Sequence, residues 1–364
     1  MITKLEVKKL NGKFDFDFNF YPDINIFTGK NGCGKTTVLK LIWYLVSGNI
    51  KQILREINFE YVYFKSDITE AKLEIVGDGN EKIVNGFYNT IGGGINFKKN
   101  LVRDVNNGLI FRRDKSGEKS LFFPTFRRIE GGFAINDRKE EVIIHEGQRI
   151  VVGRGLDNLN SALTELANRI SPNRNNRFIA SISTTDIIAL LNNKYTEVLE
   201  KINKKEIEQS AVILLKTRNS KHNIKILQEI EDLVKKTDAE KSILMKPFTV
   251  LSDLIKEIFS DKSIQITKSL TLGETKDAIT SDKLSAGEKQ MLSFLCYNFF
   301  SDNTAIFIDE PELSLHTDWQ RILFPTLLEQ STDNQFFVAT HSPFIYSQFP
   351  DKEHILDIDK GGDK

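Results

Sequence analysis

Residues 29–37 read G-K-N-G-C-G-K-T-T, and this stretch restricts the fold more tightly than any other part of the chain. It matches G-x-x-x-x-G-K-[ST], a pattern that works only between a buried strand and the first turn of a helix. I-N-I-F-T at 24–28 supplies the strand, and the apolar run from Lys35 to about Val46 supplies the helix. Glycines let successive backbone N–H groups turn inward around phosphate oxygens, and the helix N-terminus adds partial positive charge. Asn31, Gly32, Cys33, Gly34, Lys35, Thr36 and Thr37 are therefore candidate nucleotide contacts. Lys35 would reach the β- and γ-phosphates of ATP, and the Thr36 hydroxyl would ligate Mg²⁺. Cys33 reads as a small side chain tolerated in the loop. The other reading is a thiol activated by the helix N-terminus and open to alkylation.

A second buried strand, A-I-F-I at 305–308, delivers two carboxylates, Asp309 and Glu310, to its C-terminal end, where α/β ligand sites form. Asp309 would hold Mg²⁺ through water, and Glu310 would be the general base for an attacking water. Paired acids in isolation also suit a solvated turn. Thirty-one residues beyond Glu310, F-F-V-A-T-H-S-P ends a third strand on His341, placed to sense a γ-phosphate. Between them runs P-E-L-S-L-H-T-D, whose Ser314 and His316 could touch a second subunit.

The rest of the chain must fit around this α/β core. Residues 2–20 read as two alternating strands turned at Asn11-Gly12. Short strands separated by Gly, Asp and Asn predict a β-rich arm over about 55–130. From about 155 to 260 the spacing becomes helical, with Ile187, Leu191, Tyr195, Val198 and Ile202 as one stripe. Asn-, Lys- and Ser-rich breaks predict packing helices only a few turns long. The expected divisions are an N-terminal core part with its arm at 1–135, a helical insertion at 136–275, and a C-terminal core part at 276–364. The fold class is thus α/β, a mixed sheet with a phosphate-loop core, an antiparallel β arm and an inserted helical lobe.

Fifty basic and fifty acidic residues cancel, which argues against a generally cationic nucleic-acid binder but leaves room for a local patch. Lys98, Lys99, Arg103, Arg112, Arg113 and Lys115 are the candidates for one. Two cysteines without metal-type spacing suit a reducing compartment. No apolar run approaches the length of a membrane span and no leader is evident, so a cytoplasmic, membrane-free protein is expected. The 26 phenylalanines fit an AT-rich coding bias and suggest nothing further.

One motif is left over. L-S-A-G-E-K-Q at 284–290 has the make-up of a helix N-terminus built to hold an anion, although the chain already has a better phosphate loop.

Taken in order, these motifs resemble those of ABC-type ATPase heads. Gly29–Thr37 matches the Walker A loop and Ala305–Glu310 the Walker B strand. Leu284–Gln290 matches the family signature, Ser314–Asp318 the D-loop, and His341 the switch histidine. The resemblance covers roughly 1–135 and 265–364. It implies that Ser285, Gly287 and Glu288 of one copy contact the ATP held by Lys35 of another, in at least a head-to-head dimer. The family's Q-loop glutamine is not evident. F-F-P-T-F-R-R-I-E-G-G at 122–132 stands in its place, with Thr125, Arg127 and Arg128 beside the nucleotide or at the lobe interface. Arginines simply exposed after a strand are the other reading.

Within the family the wording is similar to the SMC/Rad50/RecF/OLD branch rather than to transporters. A long Rad50-type arm is excluded by the size of the insertion and the absence of a C-x-x-C hook. With 23 residues after His341, no Toprim domain is expected. The segments F-P-T-F-R-R-I-E-G-G, P-E-L-S-L-H-T-D-W-Q and A-T-H-S-P-F-I-Y-S resemble the stand-alone ATPase subunits of anti-phage systems, PARIS first and Septu next. That resemblance implies a regulated ATPase that holds a separate Toprim-type nuclease effector until a viral trigger protein is sensed. The alternative is a RecF-like DNA-repair ATPase that clamps DNA.

Overall fold

The computed structural model describes residues 1–77, 83–91, 93–100, 118–129, 140–145, 148–153, 163, 165–171, 173, 175–182, 184–218, 224–258, 264–266, 270–272, 284–330 and 332–356. They form two compact units, residues 1–182 with 301–364, and residues 183–300.

The first unit opens with β1 (Ile2–Leu10) and β2 (Phe14–Asn19), antiparallel and turned through Asn11 and Gly12, both at positive φ. Next come β3 (Ile24–Thr28), α1 (Lys35–Val46) and α2 (Ile50–Glu56). The arm follows as β4 (Tyr61–Ser66), β5 (Thr69–Val76), β6 (Ile83–Thr90) and β7 (Gly93–Asn100). It extends the first hairpin into one antiparallel sheet of order β2-β1-β4-β5-β6-β7.

The second sheet is parallel, as its near-continuous apolar strands require. It is built from β3 and from β8 (Lys119–Phe123), with the short strand β9 (Arg128–Ile129) just beyond. The hairpin β10 (Glu140–His145) and β11 (Gln148–Gly153) stands apart from both sheets. β12 (Asn176–Phe178) lies beside β8, and β13 (Ser181–Ile182) pairs with β9.

The second unit contains α3 (Thr184–Arg218), α4 (Ile224–Ile258), the pair β14 (Ile264–Ile266) and β15 (Leu270–Leu272), and α5 (Ala286–Phe299). The chain then returns to the first unit with β16 (Thr304–Asp309), α6 (Thr317–Glu329), β17 (Gln335–Ala339), α7 (Pro343–Tyr346) and β18 (Glu353–Ile355). The parallel sheet has the order β12-β8-β16-β17-β3-β18.

α1 is apolar on every side because both sheets pack on it. Val38, Leu39, Leu41, Ile42, Leu45 and Val46 have no solvent exposure, and Tyr88 of β6 donates to the Leu45 carbonyl at 2.9 Å. Each such side chain contributes about 1.5–3 kcal/mol of transfer energy, so the phosphate loop is anchored to the best-buried helix of the unit. The phenylalanines are not incidental. Phe14, Phe16, Phe18 and Phe20 stack in sequence at 5.3–5.9 Å, and Phe20 meets Phe337 edge-on at 5.1 Å. Trp43, Phe122, Phe307 and Phe337 continue the contacts through the sheet. Gln335 joins the two sheets, donating to the carbonyls of Ile2 and Tyr21 and accepting from the Ile2 amide.

The second unit corrects one expectation. Its helices are not a few turns long: α3 and α4 each run 35 residues, about 50 Å. Asn and Lys pairs such as Asn192-Asn193 are indifferent rather than prohibitive in a helix, and packing carries the backbone through them. The two helices are linked by Lys205–Glu240 at 2.5 Å and Lys241–Glu206 at 2.9 Å, with Tyr195 edge-on to Phe248. The divisions also fall elsewhere than 135 and 275. β12 belongs to the parallel sheet, so the core continues to 182. α5 packs on α3 and α4, so the signature helix belongs to the second unit. Among the described residues, no helix is long and apolar enough to cross a membrane.

Candidate nucleotide site

β16, β17 and β3 lie side by side and parallel, with Asp309 opposite Ala339 and Ala339 opposite Phe27. Their C-terminal ends therefore place the acids, His341 and the glycine loop on one edge of the sheet. Gly29, Gly32 and Gly34 hold φ of 144°, 85° and 100°. At Gly32 a Cβ would meet nothing within 4 Å, so the space beside the loop is open.

Lys35 is buried, yet its Nζ donates to the carbonyls of Gly29 at 3.0 Å and Lys30 at 3.3 Å, and to His341 Nε2 at 2.7 Å. Burial and the neighbouring ammonium both push the His341 pKa down, so its ring is neutral and accepts through Nε2. Thr36 Oγ1 donates to both carboxylate oxygens of Asp309, at 2.9 and 3.1 Å. A hydroxyl and a carboxylate already in contact are a suitable partial set for Mg²⁺, which binds through few protein oxygens, water and phosphate. The residues fit a magnesium nucleotide.

Glu310 sits at φ 51°, a left-handed conformation that costs a non-glycine residue roughly 1 kcal/mol. Its amide donates to the Ala339 carbonyl at 2.8 Å, tying the acid to the neighbouring strand. Burial, a hydrogen bond and charge from Glu312, and the charge of Asp309 push its pKa up to about 8, against the opposing pull of Lys35. Glu310 Oε1 is 3.5 Å from His341 Nε2.

Glu312 went unnoticed in the sequence. It accepts the His341 amide at 2.7 Å and lies against Glu310; the signal was a third carboxylate two residues beyond the pair. Thr125 and Arg127 also reach the acids. Thr125 Oγ1 donates to Asp309 Oδ2, and the buried Arg127 guanidinium donates to the carbonyls of Pro124, Asp309 and Glu310. The described hydrogen bonds of Arg127 thus go to main-chain oxygens.

Other candidates sit differently. Asn31 is exposed, and Thr37 is half-buried on α1. Cys33 is 4% exposed and packed in the apolar core. Ser314 and His316 are exposed. The side chains of Lys98, Lys99 and Arg128, together with Arg103, Arg112, Arg113 and Lys115, lie outside the described residues.

In the second unit, Ser285 caps α5 with a capping box. Its Oγ accepts from the Glu288 amide at 3.3 Å, and Glu288 Oε2 accepts from the Ser285 amide at 2.7 Å. Such a box stabilises a helix start by about 1 kcal/mol. Glu288 therefore has a structural task in its own helix, Gly287 is buried, and Ser285 is exposed.

Fold and site together define a head of the ABC ATPase type, built on a phosphate loop. The chain belongs to the AAA_21 family, described as "AAA domain, putative AbiEii toxin, Type IV TA system", which matches residues 24–347. It is 44% identical over 63 residues to endonuclease GajA of Bacillus cereus (strain VD045); that segment is 16% of this chain and 11% of GajA. Among solved structures it is similar to a Pyrococcus furiosus Smc head domain with an extended coiled coil bound to the C-terminal domain of ScpA. The identity is 15%, with 95% of this chain and 91% of that one covered and a TM-score of 0.37. A SmcHead bound to the C-winged helix domain of ScpA gives 15% identity and a TM-score of 0.36 at the same coverage. At those scores the likeness carries no argument, and the assignment of the fold rests on the sheet order and the family match.

Proposed function

We propose that this chain is a regulated ATPase head in bacterial anti-phage defence. It binds MgATP between two copies of itself and controls a separate effector protein, a nuclease toxin. The observation that carries the catalytic part is the convergence of Lys35, Thr36, Asp309, Glu310 and His341 at three adjacent strand ends. Lys35 is held aimed across the loop by two carbonyls and His341, and would exchange them for phosphate oxygens. Thr36 and Asp309 would hold Mg²⁺, which neutralises phosphate charge when bound. Glu310, whose raised pKa means it must first give up its own proton, would then take the proton of the attacking water, and His341 would orient it.

The defence reading draws on the toxin–antitoxin description of the family, the segment shared with an endonuclease, and the wording of 123–132 and 311–320. The assignment to a PARIS-type system rests on that wording alone. Pairing of heads is supported by two apolar side chains beside the acids. Phe126, 95% exposed, lies between Thr125 and Arg127, while Leu313, 44% exposed, donates its amide to the same Glu310 carbonyl that Arg127 holds. A side chain that large, left bare next to a buried polar cluster, suits a surface that another head covers.

The test separates binding from chemistry. Wild type should release phosphate from ATP, whereas Glu310→Gln should bind ATP normally and hydrolyse it about 10²-fold more slowly or worse. Hydrolysis by the variant at the wild-type rate would remove Glu310 as the base, and a wild type with no hydrolysis would end the enzymatic reading.

A further inference from the structure

We infer that Arg127 is a positioning residue for the acid pair: it sets the direction of Asp309 and Glu310 by holding their carbonyl oxygens, and it does not contact the nucleotide. The inference rests on the roles proposed above for those two acids.

The geometry is specific. Arg127 Nη1 donates to the Asp309 carbonyl at 2.9 Å and to the Pro124 carbonyl at 2.9 Å, while Nη2 donates to the Glu310 carbonyl at 3.1 Å. In a regular strand consecutive carbonyls point in opposite directions, so one planar guanidinium cannot catch two in a row. Here it can, because the chain leaves β16 after Asp309 and enters the left-handed region at Glu310. The arginine and the unusual φ therefore require each other. Without a donor there, the Asp309 oxygen would lose its described partner and the Glu310 oxygen would keep only the longer 3.3 Å bond from the Leu313 amide, and the backbone would relax towards ordinary φ.

Two further observations agree. Arg127 is only 7% exposed, a burial that lowers its pKa to about 10 and still leaves it charged at neutral pH. A guanidinium placed to receive a phosphate would face the open loop rather than the sheet. The residue two before it, Thr125, donates to Asp309 Oδ2, so the 124–127 segment grips Asp309 by side chain and main chain together. Arg127 carries this task because only a planar fork satisfies three carbonyls from one side; a lysine ammonium is a point charge without that geometry.

The test uses Arg127→Ala and Arg127→Lys in the full chain, with three readouts: ATP affinity by equilibrium binding, kcat by phosphate release, and amide hydrogen exchange of the peptide spanning 305–316. Positioning implies that kcat falls on the order of 10²-fold in both variants, with ATP affinity held within about threefold. It also implies faster exchange at the Glu310–Leu313 turn, with β17 unchanged. A parallel loss of affinity and kcat would make Arg127 a nucleotide contact and overturn the inference. So would a wild-type kcat in Arg127→Lys. If the wild type proves unable to hydrolyse ATP, the proposed function fails separately, and exchange at 310–313 still decides: an unchanged rate in both variants rejects the clamp.

Discussion

His354 offers a perturbation whose size follows from the structure. It lies on β18, opposite Phe27 of β3, and its ring stacks on Phe27 at 5.3 Å and meets Phe18 and Phe20 edge-on. Nε2 lies 3.1 Å from Asn25 Oδ1. Burial among these rings pushes its pKa down to about 4 from an ordinary 6.5. The native chain thus refuses a proton that the unfolded chain accepts. The stability this contributes is complete above about pH 6.5 and is lost as pH falls towards 4. At 1.36 kcal/mol per pH step, complete linkage amounts to about 3 kcal/mol, and about 2 kcal/mol is gone by pH 5. Solvent reaching part of the ring trims the loss at pH 5 to between about 1 and 2 kcal/mol. His354→Phe keeps the aromatic packing, and Asn25 Oδ1 retains the Tyr21 amide at 2.9 Å. Urea unfolding followed by the fluorescence of buried Trp43, at pH 7 and pH 5, measures both proteins. Wild type should lose between about 1 and 2 kcal/mol more than His354→Phe between those pH values. Equal losses in the two proteins, within about 0.3 kcal/mol, would refute the reasoning.

Two further outcomes concern the proposed site. Lys35→Ala should weaken ATP binding on the order of 10²-fold, since a charge-assisted contact to phosphate is lost, and titration with a fluorescent ATP analogue measures it. Ser285→Arg or Gly287→Asp should leave ATP binding by single heads intact and remove hydrolysis, read from the same titration beside a phosphate-release assay.

Much of the site was legible because its signals are local. A five-residue strand segment, three glycines and the Lys35-Thr36 pair within fourteen positions dictate a strand, a left-handed loop and a helix. A-I-F-I-D-E dictates a strand with acids at its exit. What escaped notice depends on partners distant in sequence. The link of Arg127 to the acids was hidden because its carbonyl acceptors lie 182 and 183 positions away. Glu312 looked like part of a loop until the His341 amide, 29 positions on, closed upon it. The phenylalanines carried no information as a count; only the fold brought Phe18 and Phe20 against Phe27 of β3 and Phe337 of β17. The lengths of α3 and α4 were misread because weak helix formers were taken for breaks, although tertiary packing overrides such small preferences. Glu288 illustrates the reverse case. S-A-G-E has the spacing of a capping box, and the attraction of a ligand role hid that plain local function.

The account turns on whether two chains build one site. Heads carrying Lys35→Ala and heads carrying Ser285→Arg should each be inert alone. Mixed in equal amounts, they should regain ATPase activity at roughly a quarter of the sites, because half of the random pairs are mixed and each holds one intact combination. Phosphate release from that mixture, measured against each variant alone, is the direct test. Recovered activity is the expected result; a mixture as inactive as its components, or a Ser285→Arg protein active on its own, would contradict the account.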